Sequence, residues 1–367
     1  MTAYKNTKEE IMMSWEKNVR KVVPYTPGEQ PKSTERIIKL NTNECPYPPA
    51  PGVKKLLESE SYEDLRLYPA PDAASLVEVL AEYYGVGSDQ VFVGVGSDDV
   101  ISMAFLTFFN SDKPILFPDI TYSFYPVWSD VYKIPYKKVA LDPDFRINVN
   151  DYKQENGGII IPNPNAPTGV LEDLSMIEDI VKSNPESIVM IDEAYIDFAE
   201  EGTSALSLVS KYDNLLVIRT FSKSRAMAGL RIGFAIGNAK LIKFLNDVKY
   251  SVNSYTMNRP SLELGTEAVK DDGYFKQTLS KIIKTREYMK KELASLGFSF
   301  PDSKSNFIFA SHETKPAEEI FKYLREKNIY VRYFKQDRID NYLRITVGTD
   351  EEANMLLSAL KEYLGSI

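Results

Sequence analysis

Between two apolar, largely β-branched runs, Leu215 to Ile218 and Ile232 to Ile236, the chain places Thr220, Ser222, Lys223, Arg225 and Arg231. Each run reads as a buried strand. So much positive charge in a link between core strands implies that something anionic is held there. An amine kept out of water among other cations gives up its proton more readily, and a neutral amine attacks carbonyl carbon. A Ser-Lys pair by itself is most often an exposed polar loop, so the weight of this stretch depends on what else the chain offers. Asp192 is one such group: it follows Ile-Val-Met-Ile, which puts a carboxylate at the end of a buried strand, a costly position without a partner.

A second anion-holding signal lies upstream. Val91-Phe92-Val93 leads into Gly94-Val95-Gly96-Ser97-Asp98-Asp99, and then into an apolar helix from Val100 to Phe109. Free backbone N–H groups and the positive end of the helix dipole make such a start an anion site. A helix simply capped by Ser97 explains the pattern equally well. A dinucleotide fold is disfavoured, because no third glycine follows Gly96 and Asp98 and Asp99 would repel a pyrophosphate. One cofactor type would use all these groups: a protonated ring nitrogen for Asp192, an aldehyde for Lys223, and a phosphate for Thr220, Ser222 and Arg231. Pyridoxal phosphate is such a cofactor.

Composition narrows the field. The chain of 367 residues is long enough for about two domains, and 43% hydrophobic with 26% charged is ordinary for a soluble globular protein. A net charge of -8 argues against nucleic acid or an anionic membrane as partner, so an anionic small ligand needs a local cluster of Arg and Lys. The single cysteine, Cys45, forms no intrachain disulfide and fits a reducing cytoplasm. The single histidine, His312, reads as a surface-loop residue, and no metal site is expected. No run of 18 apolar residues is present and no secretory signal pattern opens the chain.

The elements that must position these groups follow an alternating pattern. Residues 7 to 21 read as an amphipathic helix with Ile11, Met12, Trp15 and Val19 on one face. A short strand at Ile37 to Leu40 runs into the proline-rigid Asn41 to Pro49, and a helix is expected near Ala73 to Tyr84. Strands are expected at Ile115 to Phe117, Gly158 to Ile161, Ile188 to Ile191, Leu215 to Ile218 and Ile232 to Ile236. Helices are expected at Tyr122 to Ser129, Asp173 to Ser183 and Leu241 to Lys249. This is the α/β pattern with a mostly parallel sheet, whose functional groups collect at the carboxyl ends of strands. From about residue 270 the character changes to a smaller α+β domain: helices at Tyr274 to Leu296, Ala317 to Lys327 and Glu351 to Leu364, and strands at Asn306 to Phe309, Tyr330 to Tyr333 and Leu343 to Val347.

These motifs carry a resemblance. Asn-Ala-Pro-Thr-Gly (165 to 169), Asp-Glu-Ala-Tyr (192 to 195) and Ser-Lys with Arg231 eight residues after the lysine resemble the fold-type-I pyridoxal-phosphate aminotransferases. Val-Pro-Tyr-Thr-Pro-Gly-Glu, Lys-Leu-Asn-Thr-Asn-Glu and Leu-Tyr-Pro-Ala-Pro near the start, with Tyr-Leu-Arg-Ile-Thr-Val-Gly near the end, resemble the histidinol-phosphate aminotransferases among them. The resemblance implies a large domain (residues 46–269) with a mostly parallel seven-stranded sheet between helices. It also implies a small domain with an N-terminal arm (residues 1–45 with 270–367).

For the site, the resemblance implies Lys223 as the amine that condenses with the cofactor aldehyde and later shuttles the α-proton. Asp192 would lie on the ring nitrogen, and Tyr195 and Asn165 on the ring hydroxyl. Tyr122 would stack on the ring, and Ser97, Asp98, Thr220, Ser222 and Arg231 would hold the phosphate. Tyr68 is expected to reach the phosphate of a neighbouring subunit's cofactor in a homodimer. Tyr25, Asn43, Arg332 and Arg344 are expected around the substrate, whose anionic end suits guanidinium. Two departures stand out: Ala166 lies directly before Pro-Thr-Gly, where the family has Asn, and Cys45 replaces another Asn.

The implied reaction moves an amino group between L-histidinol phosphate and 2-oxoglutarate in the cytoplasm. An aromatic amino-acid aminotransferase and a threonine-phosphate decarboxylase are alternatives on the same fold. A catalytically silent binding protein, or a nucleotide-binding module built on Gly94 to Ser97, are alternatives of another class.

Overall fold

The computed structural model describes residues 14–31, 36–59 and 62–365. Its centre is a seven-stranded sheet. From one edge to the other it runs Val91–Val95, Ile232–Gly237, Leu215–Thr220, Val189–Asp192, Gly158–Pro162, Ile115–Pro118 and Tyr136–Val139. Four neighbouring pairs are parallel. Ile232–Gly237 runs antiparallel to both its neighbours. Helices cover both faces, which is why the central strands are apolar throughout rather than alternating. Successive side chains still part to opposite sides: Ile159, Ile161, Val189, Ile191, Leu215 and Val217 enter one core cluster. Ile160, Met190, Leu216 and Ile218 enter the other.

Six strands share one direction, so their carboxyl ends meet along one edge of the sheet. Val95, Pro118, Pro162, Asp192 and Thr220 are all strand-terminal residues there. The antiparallel strand begins at the same edge, which brings Arg231, the residue before Ile232, to join them.

A third core cluster lies outside this sheet. It packs around a four-stranded antiparallel sheet in the order Arg332–Tyr333, Leu343–Thr346, Phe307–His312 and Phe298–Ser299. Helices Asp272–Ser295, Ala317–Glu326 and Asp350–Gly365 accompany it. Ile38–Lys39 pairs in parallel with Ile329–Tyr330, tying the N-terminal stretch to this unit. The expected single strand over Tyr330 to Tyr333 is therefore two: the chain changes sheets at Val331, leaving Arg332–Tyr333 to pair with Leu343–Thr346.

Other expectations also shift. The expected helix over residues 7 to 21 lies partly outside the described residues, including Ile11 and Met12. Its described part is a short 3-10 turn, Ser14–Asn18, with Trp15 and Val19 exposed. Strand Tyr136–Val139 and helices Pro51–Ser59 and Arg259–Lys270 are additional elements. The strand was hidden because it is an edge: Tyr136, Lys137 and Lys138 are exposed, with charge that guards an unpaired border.

Candidate functional site

The helix after Val91–Val95 begins at Gly96, not at Val100, and its N-cap is Val95. Ser97 therefore sits inside the first turn rather than capping it, leaving the N-terminal N–H groups of Gly96, Ser97 and Asp98 without intrahelical partners. The turn is packed to its limit. Gly96 has φ +83°, and a Cβ there would lie 2.4 Å from Arg231 Nη2. A Cβ on Gly233 would lie 2.2 Å from the Ser97 nitrogen. These glycines let the helix start, the strand beginning at Ile232 and the Arg231 guanidinium converge. Arg231 Nη1 donates to Ser222 Oγ at 3.3 Å, and its Nη2 pairs with Asp98 Oδ2 at 3.3 Å. Thr220 Oγ1 accepts from the Ser222 N–H. Ser97, Asp98, Thr220, Ser222 and Arg231 all line one cavity of about 580 Å³, whose free helix-start N–H groups and Arg231 guanidinium are donors suited to an anion.

Asp192 lines the same cavity. Its Oδ2 accepts from the Tyr125 hydroxyl at 2.9 Å and its Oδ1 from the Ala194 N–H at 3.1 Å. Burial pushes the carboxyl up to about 6; those hydrogen bonds pull down, and the charges of Asp98 and Glu193 push up again. The two side-chain charges that act most on it, Asp98 and Glu193, are both acids, so a cationic ligand group would find a carboxylate ready to pair with. Lys223 also lines the cavity, with Nζ donating to the Thr42 carbonyl at 3.2 Å and lying 5.6 Å from the centre of the Tyr195 ring. Tyr195 hydroxyl accepts from Asn43 Nδ2 at 2.9 Å, which leaves its own hydrogen free for an acceptor in the cavity. Tyr122 completes the wall, its hydroxyl donating to Asp98 Oδ1 at 2.9 Å.

A second chamber of about 650 Å³ adjoins the first, sharing Tyr122, Ala166, Tyr195 and Lys223. Tyr25, Asn43, Arg332 and Arg344 line it, all four of the residues expected around substrate. Arg332 and Arg344 are direct cross-strand partners, an arrangement of like charges that destabilises a sheet by itself. Their hydrogen bonds run to backbone carbonyls, Arg332 to Pro27 and Arg344 to Asn41, so no carboxylate among the described residues neutralises them. Arg344 Nε is sealed off without a partner. Burial, and then the like charge of Arg332, make its proton easier to lose than is usual for arginine, while the Tyr195 and Tyr25 phenols oppose this. Such a pair is built to receive an anion.

Several expected residues lie elsewhere. Asn165 does not line the first cavity. Its amide donates to the Ile120 carbonyl and to Thr168 Oγ1, and Ala166 takes its place on the wall. The Asn165 Oδ1 is buried without a partner among the described residues. Tyr68 is 78% exposed and stacks on Tyr255 at 4.5 Å, away from both chambers of its own chain. Arg225 is buried against the Tyr83, Phe221 and Phe275 rings and donates to the Ala268 carbonyl. Burial pushes the Cys45 thiol up to about 11, which keeps it neutral and inert. His312 is a correction: it ends strand Phe307–His312, is buried, and bonds through Nε2 to the Leu296 carbonyl. Sequence reasoning missed Tyr125, because nothing in its neighbourhood says that its hydroxyl meets Asp192 some 67 positions away.

The donor set fits a phosphorylated ring carrying a basic nitrogen: free N–H groups and a guanidinium at the helix start, a buried acid, and an amine, all on the wall of one cavity. Comparisons with known proteins agree. Residues 35–360 match the model of aminotransferase class I and II. The chain is 53% identical over 352 residues to a histidinol-phosphate aminotransferase of Lactococcus lactis subsp. cremoris (strain MG1363), covering 96% of this chain and 98% of that one. It is 52% identical over 342 residues to that of Brachyspira hyodysenteriae (strain ATCC 49526 / WA1), covering 93% and 96%. The solved histidinol-phosphate aminotransferase of Sinorhizobium meliloti, in complex with pyridoxal-5'-phosphate, shares the fold with TM-score 0.82 at 22% identity, over 90% of this chain and 91% of that one. By its motifs, its fold and its relatives, the chain belongs to the class I and II aminotransferases.

Proposed function

We propose that this protein transfers the amino group of L-histidinol phosphate to 2-oxoglutarate, giving imidazole-acetol phosphate and L-glutamate in histidine biosynthesis, with pyridoxal phosphate as cofactor. The observation that carries the reading is the unneutralised cross-strand pair Arg332–Arg344 in the chamber that opens onto Lys223. Two guanidinium groups hold a phosphate or a dicarboxylate end equally well, so one chamber serves both substrates in turn. The names of relatives about half identical along nearly the whole chain support the same choice.

The cofactor, when bound, supplies an electron sink for a carbanion next to nitrogen. The chain's own residues do the rest. Asp192 holds a proton at the ring nitrogen. Lys223 would hold the cofactor through its amine and move the substrate's α-proton. Tyr195, whose hydroxyl accepts from Asn43, would donate to the ring oxygen. The helix start, Thr220, Ser222 and Arg231 would hold the phosphate. The described part of residues 46–269 would form the cofactor-binding domain, and that of residues 1–45 with 270–367 would add Tyr25, Asn43, Arg332 and Arg344 to the substrate chamber.

The protein acts as a cytoplasmic homodimer with Tyr68 of each chain reaching the phosphate pole of the other. The exposed Leu65, Leu67, Tyr68 and Tyr255 support this, as a patch of apolar side chains left to water in one chain. No helix of the described residues is long and apolar enough to cross a membrane.

The decisive experiment compares turnover of histidinol phosphate, phenylalanine and threonine phosphate by the purified protein loaded with cofactor. Histidinol phosphate is expected to react fastest and to yield glutamate from 2-oxoglutarate. Faster reaction of phenylalanine, or release of carbon dioxide from threonine phosphate, would overturn the assignment.

A further inference from the structure

One buried polar side chain behind the cavity is aimed at its chemistry without lining it. Tyr125 opens helix Tyr125–Tyr132 and is fully buried. Its ring packs edge-on against Phe117 and Tyr122, at 5.8 and 5.7 Å between centres, and tilted against Trp128 at 6.3 Å. That box leaves the hydroxyl one recorded partner, Asp192 Oδ2 at 2.9 Å. A buried phenol is costly unless bonded, so the bond fixes both groups. Burial and the adjacent carboxylate hold the phenol protonated far into the alkaline range, which makes it a permanent donor. The second carboxylate oxygen takes the Ala194 N–H. A carboxylate offers about four acceptor positions, so two remain for a ligand in the cavity that Asp192 lines.

We propose that Tyr125 is a positioning residue: its hydroxyl holds the Asp192 carboxylate ionised and in one orientation, and so sets how strongly the protein grips a cofactor by its protonated ring nitrogen. The inference rests on the reading that a ring-nitrogen cofactor occupies the cavity. Without the phenol, the carboxylate keeps a single donor while its burial and the charges of Asp98 and Glu193 favour the neutral acid. A neutral acid cannot hold a cationic nitrogen by charge. The neighbouring tyrosine does not share this role, since the Tyr122 hydroxyl is committed to Asp98 at the helix start.

The test uses Tyr125→Phe, which removes only the hydroxyl. Apoenzyme of both forms is titrated with pyridoxal phosphate and with its analogue carrying CH in place of the ring nitrogen. The variant is expected to bind pyridoxal phosphate about tenfold more weakly, the low end for a hydrogen bond to a charged group. Binding of the carbon analogue is expected to stay unchanged. In infrared titration of the apoenzyme, with the Asp192 band assigned by its loss in Asp192→Asn, the carboxyl is expected to protonate at higher pH in the variant. Equal weakening for both ligands, or no weakening for either, overturns the positioning role. So does an unmoved carboxyl titration. Wild-type protein that binds neither ligand would instead remove the cofactor reading, and this inference with it. Should phenylalanine at 125 prevent folding, 3-fluorotyrosine there keeps the hydroxyl and strengthens it as a donor. The preference for nitrogen over carbon is then expected to rise, and an unchanged preference overturns the proposal.

Discussion

Replacing Asp192 by asparagine should change the pH dependence of stability in a direction that depends on whether cofactor is bound. In the apoprotein the carboxyl is pushed from an ordinary 3.8 to about 6, chiefly by burial. The folded state therefore holds a proton that the unfolded chain has already lost between those limits. Stability is full below about pH 4 and falls as pH rises towards about 6. A gap of that size is worth about 3 kcal/mol. Asparagine carries no charge at either end of the range and escapes the penalty. Urea unfolding of the two apoproteins, compared at each pH so that other titrating groups cancel, should show the variant gaining about 3 kcal/mol on the wild type between about pH 4 and pH 7. Saturating the wild type with cofactor should erase that gain, because a protonated ring nitrogen gives the carboxylate its missing counter-charge. The same substitution breaks a buried charge pair in the loaded enzyme, at a cost of about 3–5 kcal/mol. Felt in the transition state, that cost lowers kcat by about two to four powers of ten. Parallel stability profiles for the two apoproteins would refute the burial argument, and turnover within about threefold of wild type would refute the pyridinium role.

Three further outcomes follow from the same geometry. Lys223→Ala should abolish amino transfer in a steady-state assay and leave no side chain for borohydride to fix the cofactor to, as read by mass spectrometry. Arg344→Met should lower kcat/KM for histidinol phosphate by about 10- to 100-fold, the worth of a charge-assisted hydrogen bond. It should not lower the melting temperature of the apoprotein, because the lost cation had a like charge, Arg332, as its cross-strand neighbour. Gly233→Ala puts a methyl group 2.2 Å from the Gly96 carbonyl carbon and the Ser97 nitrogen. Overpacking of that kind should cost about 1–3 kcal/mol in urea unfolding and weaken cofactor binding in a titration, since the helix start that holds the phosphate must retreat.

The parts of this site that were legible in the sequence are those whose placement follows from periodicity. Asp192 and Thr220 end apolar runs buried on both faces, and Lys223 and Arg231 lie in the link between two such runs. A mostly parallel sheet then leaves one edge where they can meet. The rest depended on contacts that periodicity does not encode. Asn43 and Tyr195 are 152 positions apart, and their bond exists because Asn43 adopts a left-handed backbone that turns its amide inward beside Thr346. Asn165 was expected on the ring because of its neighbours in the chain. The loop gives its amide N–H groups to Ile120 and Thr168, keeps its Oδ1 buried without a partner among the described residues, and sets Ala166 on the cavity wall. His312 reads as a surface-loop residue from the sequence alone. The strand extends to His312 because its backbone pairs with Phe298, and its imidazole is held by the Leu296 carbonyl and the N–H groups of Thr314 and Lys315. In each case the side chain's partner lies on another element, or is a backbone group freed by a turn. The chemistry of the site could thus be named from residue types at strand ends, while the second layer that orients Tyr195 and Asp192 came into view only when the sheets were assembled.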